Sequence, residues 1–353
     1  MTTKAFALLV MALASTPSVA NDSWADTAAM EAKINKGDYG TVTSLLVMKD
    51  GKTLYEGYFN GADAGTLHNT RSATKTITSM AVGAAVDDGL FTVNTPAAGF
   101  FTDIAPFRNP DPRKLEMTIE DLLTMSGILE CDDDDMFSRG NESRMHNVED
   151  WASFFWDLPI RGYPGWMDPP EKAKYGRVFF YCSAGTEIAG QVVERAAKEP
   201  FHTYVERKLF DPLGISEFEW QFNGVGDAHK SGGLALTSLG LAKFAEMQRR
   251  GGLYAGRRVL SQAWTTEAVK PRAVAYADRD IEYGYQWWLA PYEVSGERYE
   301  SYYMAGNGGN RVLVMPAHAL VIVVTKTDFN TRGMHQKTDA LIEGEILTRM
   351  GAD

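Results

Sequence analysis

The sequence predicts a mixed α/β fold of the α+β kind: one antiparallel sheet built from both chain ends, flanked by helices, with a mainly helical lobe inserted at about 115–275. Two observations carry this. Runs rich in β-branched and aromatic residues gather near both termini, whereas the middle shows helical spacing broken by Gly/Pro-rich connections. The economical way to pair strands that lie so far apart in the chain is a single sheet to which both ends contribute.

In chain order, TVTSLLVMKDGKTLYEGYF (41–59) reads as a hairpin, with Lys49-Asp50-Gly51 as the turn between two β-rich runs. Residues 72–86 follow with helical spacing through Ile77, Met80, Ala81, Ala84 and Ala85, ending at Asp87-Asp88-Gly89. TIEDLLTMSG (118–127) opens with Thr118 and Asp121 at capping-box spacing and stops at Gly127. VEDWASFFWDL, AGTEIAGQVVERAAK, FHTYVERKLF and LGLAKFAEMQRRGG are further helix candidates. Strand character returns in YGYQWWLA, ESYYMA, NRVLVM and ALVIVVT, and the amphipathic HQKTDALIEGEILTRM closes the chain. The run Asp132–Asp135 lacks the ligand spacing of a calcium loop and reads as a solvated acidic loop.

Residues 1–20 read as an export signal: Lys4, an apolar run from Ala5 to Ala14, and a small-x-small end at Ser18-Val19-Ala20. Cleavage there takes one lysine and no acid from a formal charge of −11. No cysteine adjoins the cleavage point, so neither a lipoprotein anchor nor any other membrane anchor is expected, and the expected location is the bacterial periplasm. The acidic balance speaks against nucleic acid or an anionic membrane as partner. The two cysteines, Cys131 and Cys182, are a disulfide candidate in an exported chain, with two separate buried thiols as the alternative.

The chemistry centres on RSATKT (71–76). Ser72 and Lys75 stand three apart at the start of a helix, which places the amine within reach of the hydroxyl. A neutral lysine can deprotonate a serine, and burial or nearby positive charge favours the neutral form. A serine cap followed by a solvated lysine is the competing reading. In FFYCSAGTEIAG (179–190), Tyr181 precedes a helix starting near Ala184, with Ser183 as a natural N-cap; a tyrosine there can shuttle a proton or simply pack. In AGNGGNRVLVM, Asn307, Gly308, Gly309 and Asn310 lead into an apolar strand. Glycines there allow a backbone to approach a ligand, or make a plain hairpin turn. No Gly-x-Ser-x-Gly elbow occurs, and none of the six histidines has a context that suggests a Ser-His-Asp triad.

These three elements in this order resemble the serine β-lactamase and penicillin-binding-protein superfamily, in particular the class C β-lactamase-related hydrolases, which include esterases, D-amino-acid peptidases and 6-aminohexanoate-dimer hydrolases. LLTMSG (122–127), the Trp151 segment, LFDPLGI (209–215), SGGLALTSLGLAKF (231–244) and YGYQWW (283–288) extend the likeness over nearly the whole chain. The resemblance implies a β-lactamase-like fold, Ser72 as acylated nucleophile, Lys75 as its base, and Tyr181 as the proton relay to the leaving group and later to water. It places Asn307-Gly308-Gly309 at the family's Lys/His-Thr/x-Gly position, with the Asn310 backbone N–H completing an oxyanion hole with that of Ser72. It implies hydrolysis through an acyl-serine without metal or cofactor.

Two departures bear on the substrate. Ser183 stands where lactamases carry the asparagine of Tyr-x-Asn, and Asn307 stands where they carry a lysine suited to a substrate carboxylate. Lys326-Thr327-Asp328 lacks the glycine and is rejected as the strand motif. The expected substrate is therefore a small ester or amide. A lactam turned over weakly, a D-Ala-D-Ala-type cell-wall peptide, and a catalytically silent penicillin-binding-like sensor are the alternatives. A Cys131–Cys182 bond would tether the Tyr181 loop to the helix end after LLTMSG.

Overall fold

In the computed structural model, residues 24, 26–167 and 169–350 are described; the expected export signal, residues 1–20, lies outside them. Eight strands form one antiparallel sheet: β1 (Val42–Lys49), β2 (Lys52–Tyr58), β3 (Ala273–Tyr276), β4 (Ile281–Tyr283), β5 (Trp288–Leu289), β6 (Tyr302–Gly306), β7 (Asn310–Met315) and β8 (Leu320–Lys326). Their order is β2-β1-β8-β7-β6-β5-β4-β3, so the first strand of the chain pairs directly with the last. The expected hairpin closes through Asp50 (φ 53°) and Gly51 (φ 75°), two left-handed residues that match the twist of the strands they join.

The central strands read as near-continuous apolar runs because both faces of the sheet are covered. Side chains alternate between the faces. Leu46, Val312, Val314, Val321 and Val323 join one core, while Leu45, Val47, Leu313, Ile322 and Val324 join the other. The second core is covered by α1 (Ala28–Lys36) and by the C-terminal helix that opens with Met334–Leu341. The first contains α2 (Thr74–Asp87), α3 (Ser183–Ala197), α4 (Ser238–Arg249) and the short helices around 119–156.

Helix α2 is the centre of the molecule. Twelve consecutive residues, Thr74–Ala85, are buried, so no face of it meets water. Small side chains allow that packing: a Cβ on Gly83 would fall 2.3 Å from Trp264 Nε1. Its polar groups must find partners inside the protein. Thr76 Oγ1 donates to Gln286 O (2.6 Å) and Thr78 Oγ1 to Lys230 O (2.6 Å), which fixes two loops against the helix. The α-helix begins at Thr74, two residues later than the spacing suggested, because a 3₁₀ turn, Arg71–Ala73, precedes it. That turn carries Ser72.

Candidate active site

Arg71 adopts φ 50°, costly for a residue with a Cβ. Its N–H donates to Asn69 Oδ1 (3.0 Å), and its guanidinium lies 4.4 Å from the Phe329 ring centre. This held turn leaves Ser72 half-buried at the junction of two cavities, of about 550 and 390 Å³.

Lys75, one turn along and 1% exposed, donates from Nζ to Ser72 Oγ (3.0 Å) and to Ser231 O (2.9 Å). Tyr181 completes the group, with Lys75 Nζ 5.0 Å from its ring centre. Tyr181 stacks on Trp288, ring centres 5.7 Å apart. The structure thus brings Ser72, Lys75 and Tyr181 together from three separate segments.

The electrostatics differ from the expected neutral lysine. Burial opposes the Lys75 charge, but Tyr181, Glu142 and Asp133 together outweigh it and hold the ammonium above the ordinary lysine value. Burial, only partly offset by Lys75 and Ser72, raises the Tyr181 phenol. Asp133 itself is pushed up to about 6, chiefly by burial and against the pull of Lys75. Burial would also raise Glu142, but the His146 hydrogen bond and the charges of Lys75 and His229 hold it at about 2.

Asp133 corrects the reading of the acidic run as a solvated loop. Its carboxylate accepts from Ser183 N (2.7 Å) and Glu142 N (2.7 Å) and lines the larger cavity. Asp134 lines it too and accepts from Tyr276 OH (2.8 Å). Cys131 and Cys182 are bonded, which sets the acidic loop beside the tyrosine loop. That pairing was the sequence signal that could have found Asp133. Glu142, which lines both cavities, had no such signal.

The third position of Tyr-Cys-Ser does not face the cavity. Cys182, in extended conformation, is the N-cap of α3 and accepts from Gly185 N at Sγ (3.3 Å). Ser183 is therefore the first helical residue rather than the cap, and it is fully buried away from both cavities.

The glycine-rich stretch is also placed differently. Gly308 (φ 94°) and Gly309 (φ 93°) form the β6–β7 hairpin turn, packed against Phe329 and Met334. Asn310 is 3% exposed, pairs with Gly306 across the hairpin, and lies off both cavities. Its side chain donates to Asn69 O (3.1 Å) and accepts from Lys326 N (2.9 Å), a bracing role. The strand comes closest to the nucleophile turn at Gly306, where a Cβ would sit 2.1 Å from Thr70 O. Ala305, Gly306 and Asn307 line the larger cavity, as does Arg311 further along the stretch. Asn307 is tied to the next loop, donating to Asn330 Oδ1 (2.6 Å) and accepting from Asn330 N (2.8 Å). Lys326 points to Asp328 (3.1 Å) and Met334 O (3.1 Å), away from the cavity.

A buried lysine in contact with a half-buried serine and tyrosine, at the foot of a helix and facing a cavity, is equipped for acyl transfer. A family model described as Beta-lactamase matches residues 40–344, and the chain belongs to that family of serine hydrolases. A 6-aminohexanoate-dimer hydrolase from Paenarthrobacter ureafaciens is 25% identical over 257 residues, 69% of this chain and 63% of the relative's own length. A penicillin-binding protein from Bacillus halodurans superposes with a TM-score of 0.67 at 20% identity, covering 89% of this chain and 99% of the other. A family VIII carboxylesterase superposes with a TM-score of 0.68 at 15% identity over 92% and 97% of the two chains. The structural likenesses show the shared antiparallel-sheet fold.

Proposed function

We propose that the protein hydrolyses small ester or amide bonds through an acyl-serine formed on Ser72. The contact of Lys75 Nζ with Ser72 Oγ at 3.0 Å carries this reading. The Ser72 hydroxyl attacks the substrate carbonyl carbon while its proton passes to the Lys75–Tyr181 pair after that pair has lost one proton. The leaving alcohol or amine then takes a proton back from the pair, and water repeats the cycle to free the acid. The backbone N–H groups of Ser72 and Gly306 are the candidate oxyanion donors. The close approach of Gly306 to the nucleophile turn favours it over Asn310.

The lining supports an ester or amide with an apolar body. Tyr181, Tyr276, Trp288, Tyr292 and Tyr303 give the larger cavity aromatic walls. Asn307 supplies no positive charge for a lactam carboxylate, and Asp133 and Glu142 place negative charge beside the nucleophile. The relationship to a 6-aminohexanoate-dimer hydrolase and the likeness to a carboxylesterase fit that choice. Export rests on residues 1–20 and agrees with the disulfide.

Turnover of matched chromogenic esters, amides and a penicillin by wild type and Ser72→Ala tests the proposal. Ester or amide turnover that Ser72→Ala abolishes is expected. Penicillin turnover exceeding both points to a lactamase, and acylation without any turnover to a sensor.

A further inference from the structure

The smaller cavity on the other side of Ser72 contains a cluster whose two histidines the acyl-transfer reading does not use. Glu142, His146 and His229 come from a short helix, its C-terminal cap and a distant loop, yet one ligand atom from each lies within 4.8 Å of the others. Glu142 Oε1 and His146 Nε2 are 3.5 Å apart. A tetrahedral zinc ion with bonds of about 2.0–2.2 Å holds its donors roughly 3.3–3.5 Å apart, so this pair is already at the spacing required.

His229 is held as metal-binding imidazoles are held. Its Nδ1 lies 3.0 Å from Oε1 of Glu187, a fully buried carboxylate on α3. Glu187 is itself fixed by the backbone N–H groups of Ser231 (2.7 Å) and Lys230 (3.0 Å). A carboxylate on one ring nitrogen leaves the other as the donor and sets the ring plane. That second nitrogen, Nε2, lies where a Cβ on Gly232 would come within 2.9 Å, so the glycine keeps its approach open. Trp151 packs edge-on against both imidazoles, ring centres 5.5 and 5.0 Å away, which holds the two rings at one place.

We propose that Glu142, His146 and His229 bind a divalent transition-metal ion, zinc being the best match, in the cavity beside Ser72. Two imidazoles and one carboxylate form a borderline donor set that suits zinc rather than calcium or magnesium. Three protein donors leave the fourth position open to the cavity, which Ser72 and Asn307 also line. His146 is exposed and Glu142 half-buried, so side-chain rotation at these two positions can close the gap, at most about 1.4 Å, between the 4.8 Å spread and the spacing zinc requires.

The test is equilibrium dialysis of tag-free, chelator-treated protein against Zn²⁺ with elemental analysis, alongside thermal unfolding with and without the metal. Wild type is expected to take up zinc stoichiometrically and to unfold at a higher temperature with it. His146→Ala, at an exposed position that leaves the fold intact, is expected to lose both effects, and so is Glu142→Gln. Absence of uptake by wild type, or uptake unchanged in His146→Ala, overturns the proposal. Labelling of Ser72 by a fluorophosphonate in the wild-type and His146→Ala samples reports separately on the acyl-transfer reading.

Discussion

Removing the Cys131–Cys182 bond separates two effects that the sequence leaves merged. The cysteines lie 51 residues apart, and closing a loop of that length is worth about 4 kcal/mol in the chain-entropy description of the denatured state. The bond also adjoins Tyr181, and the sequence alone assigns it the task of tethering the Tyr181 loop. The structure shows other restraints on that loop. Phe180 N donates to Met125 O (2.8 Å), Asp133 N to Tyr181 O (2.7 Å) and Ser183 N to Asp133 Oδ2 (2.7 Å). The Tyr181 ring is further stacked on Trp288. Cys131→Ala/Cys182→Ala is therefore expected to lose about 4 kcal/mol in reversible urea unfolding relative to oxidised wild type. Its rate of acylation by a fluorophosphonate should stay within about threefold, or roughly 0.7 kcal/mol of barrier. A stability loss below about 1 kcal/mol, or a rate loss of about a hundredfold in still-folded protein, refutes this division.

Other consequences follow from the site. Lys75 is held as an ammonium, so the proton-accepting form of the Lys75–Tyr181 pair is scarce at neutral pH; acylation should rise by up to about tenfold per pH unit toward alkaline pH. Glu142→Gln removes one of the charges that sustain that ammonium and should move the rate profile to lower pH, whereas a move to higher pH contradicts the assignment. Lys75→Ala should slow acylation by about 10²–10⁴-fold, measured by single-turnover labelling. Gly306→Ala puts a Cβ 2.1 Å from Thr70 O, so it should lower both the melting temperature and the acylation rate, while Gly256→Ala, which meets no atom within 4 Å, serves as a control for rate. Glu187→Ala leaves the Ser231 and Lys230 N–H groups and His229 without their buried acceptor and should cost about 3–5 kcal/mol of stability.

The sheet was legible because its strands carry their own pattern. Val321–Val324 is apolar on both faces and can only be an interior strand, and Asp50-Gly51 fits the turn that it makes. Ser72 and Lys75 were legible because their relation is local, fixed by helical spacing. What the sequence hid depends on contacts across the chain. Gly306, not the more conspicuous Gly308 and Gly309, meets the nucleophile turn, because close approach is decided by where β6 crosses residues 70–73. Asp133 turns inward because its carboxylate accepts from Ser183 N, 50 positions away, and from Glu142 N. His146 and His229 are 83 positions apart in sequence, and only the packing around Trp151 brings their rings within 5.2 Å. The sign of the charge at Lys75 was hidden for the same reason, since Glu142 and Asp133 reach it from a segment that no spacing connects to α2.

The central claim, that Ser72 is the acylated nucleophile, is tested most directly by intact mass and peptide mapping after exposure to a fluorophosphonate. A single adduct on the peptide containing Ser72, absent from Ser72→Ala and formed slowly in Lys75→Ala, is the predicted result. An adduct of the same mass that persists in folded Ser72→Ala would contradict it.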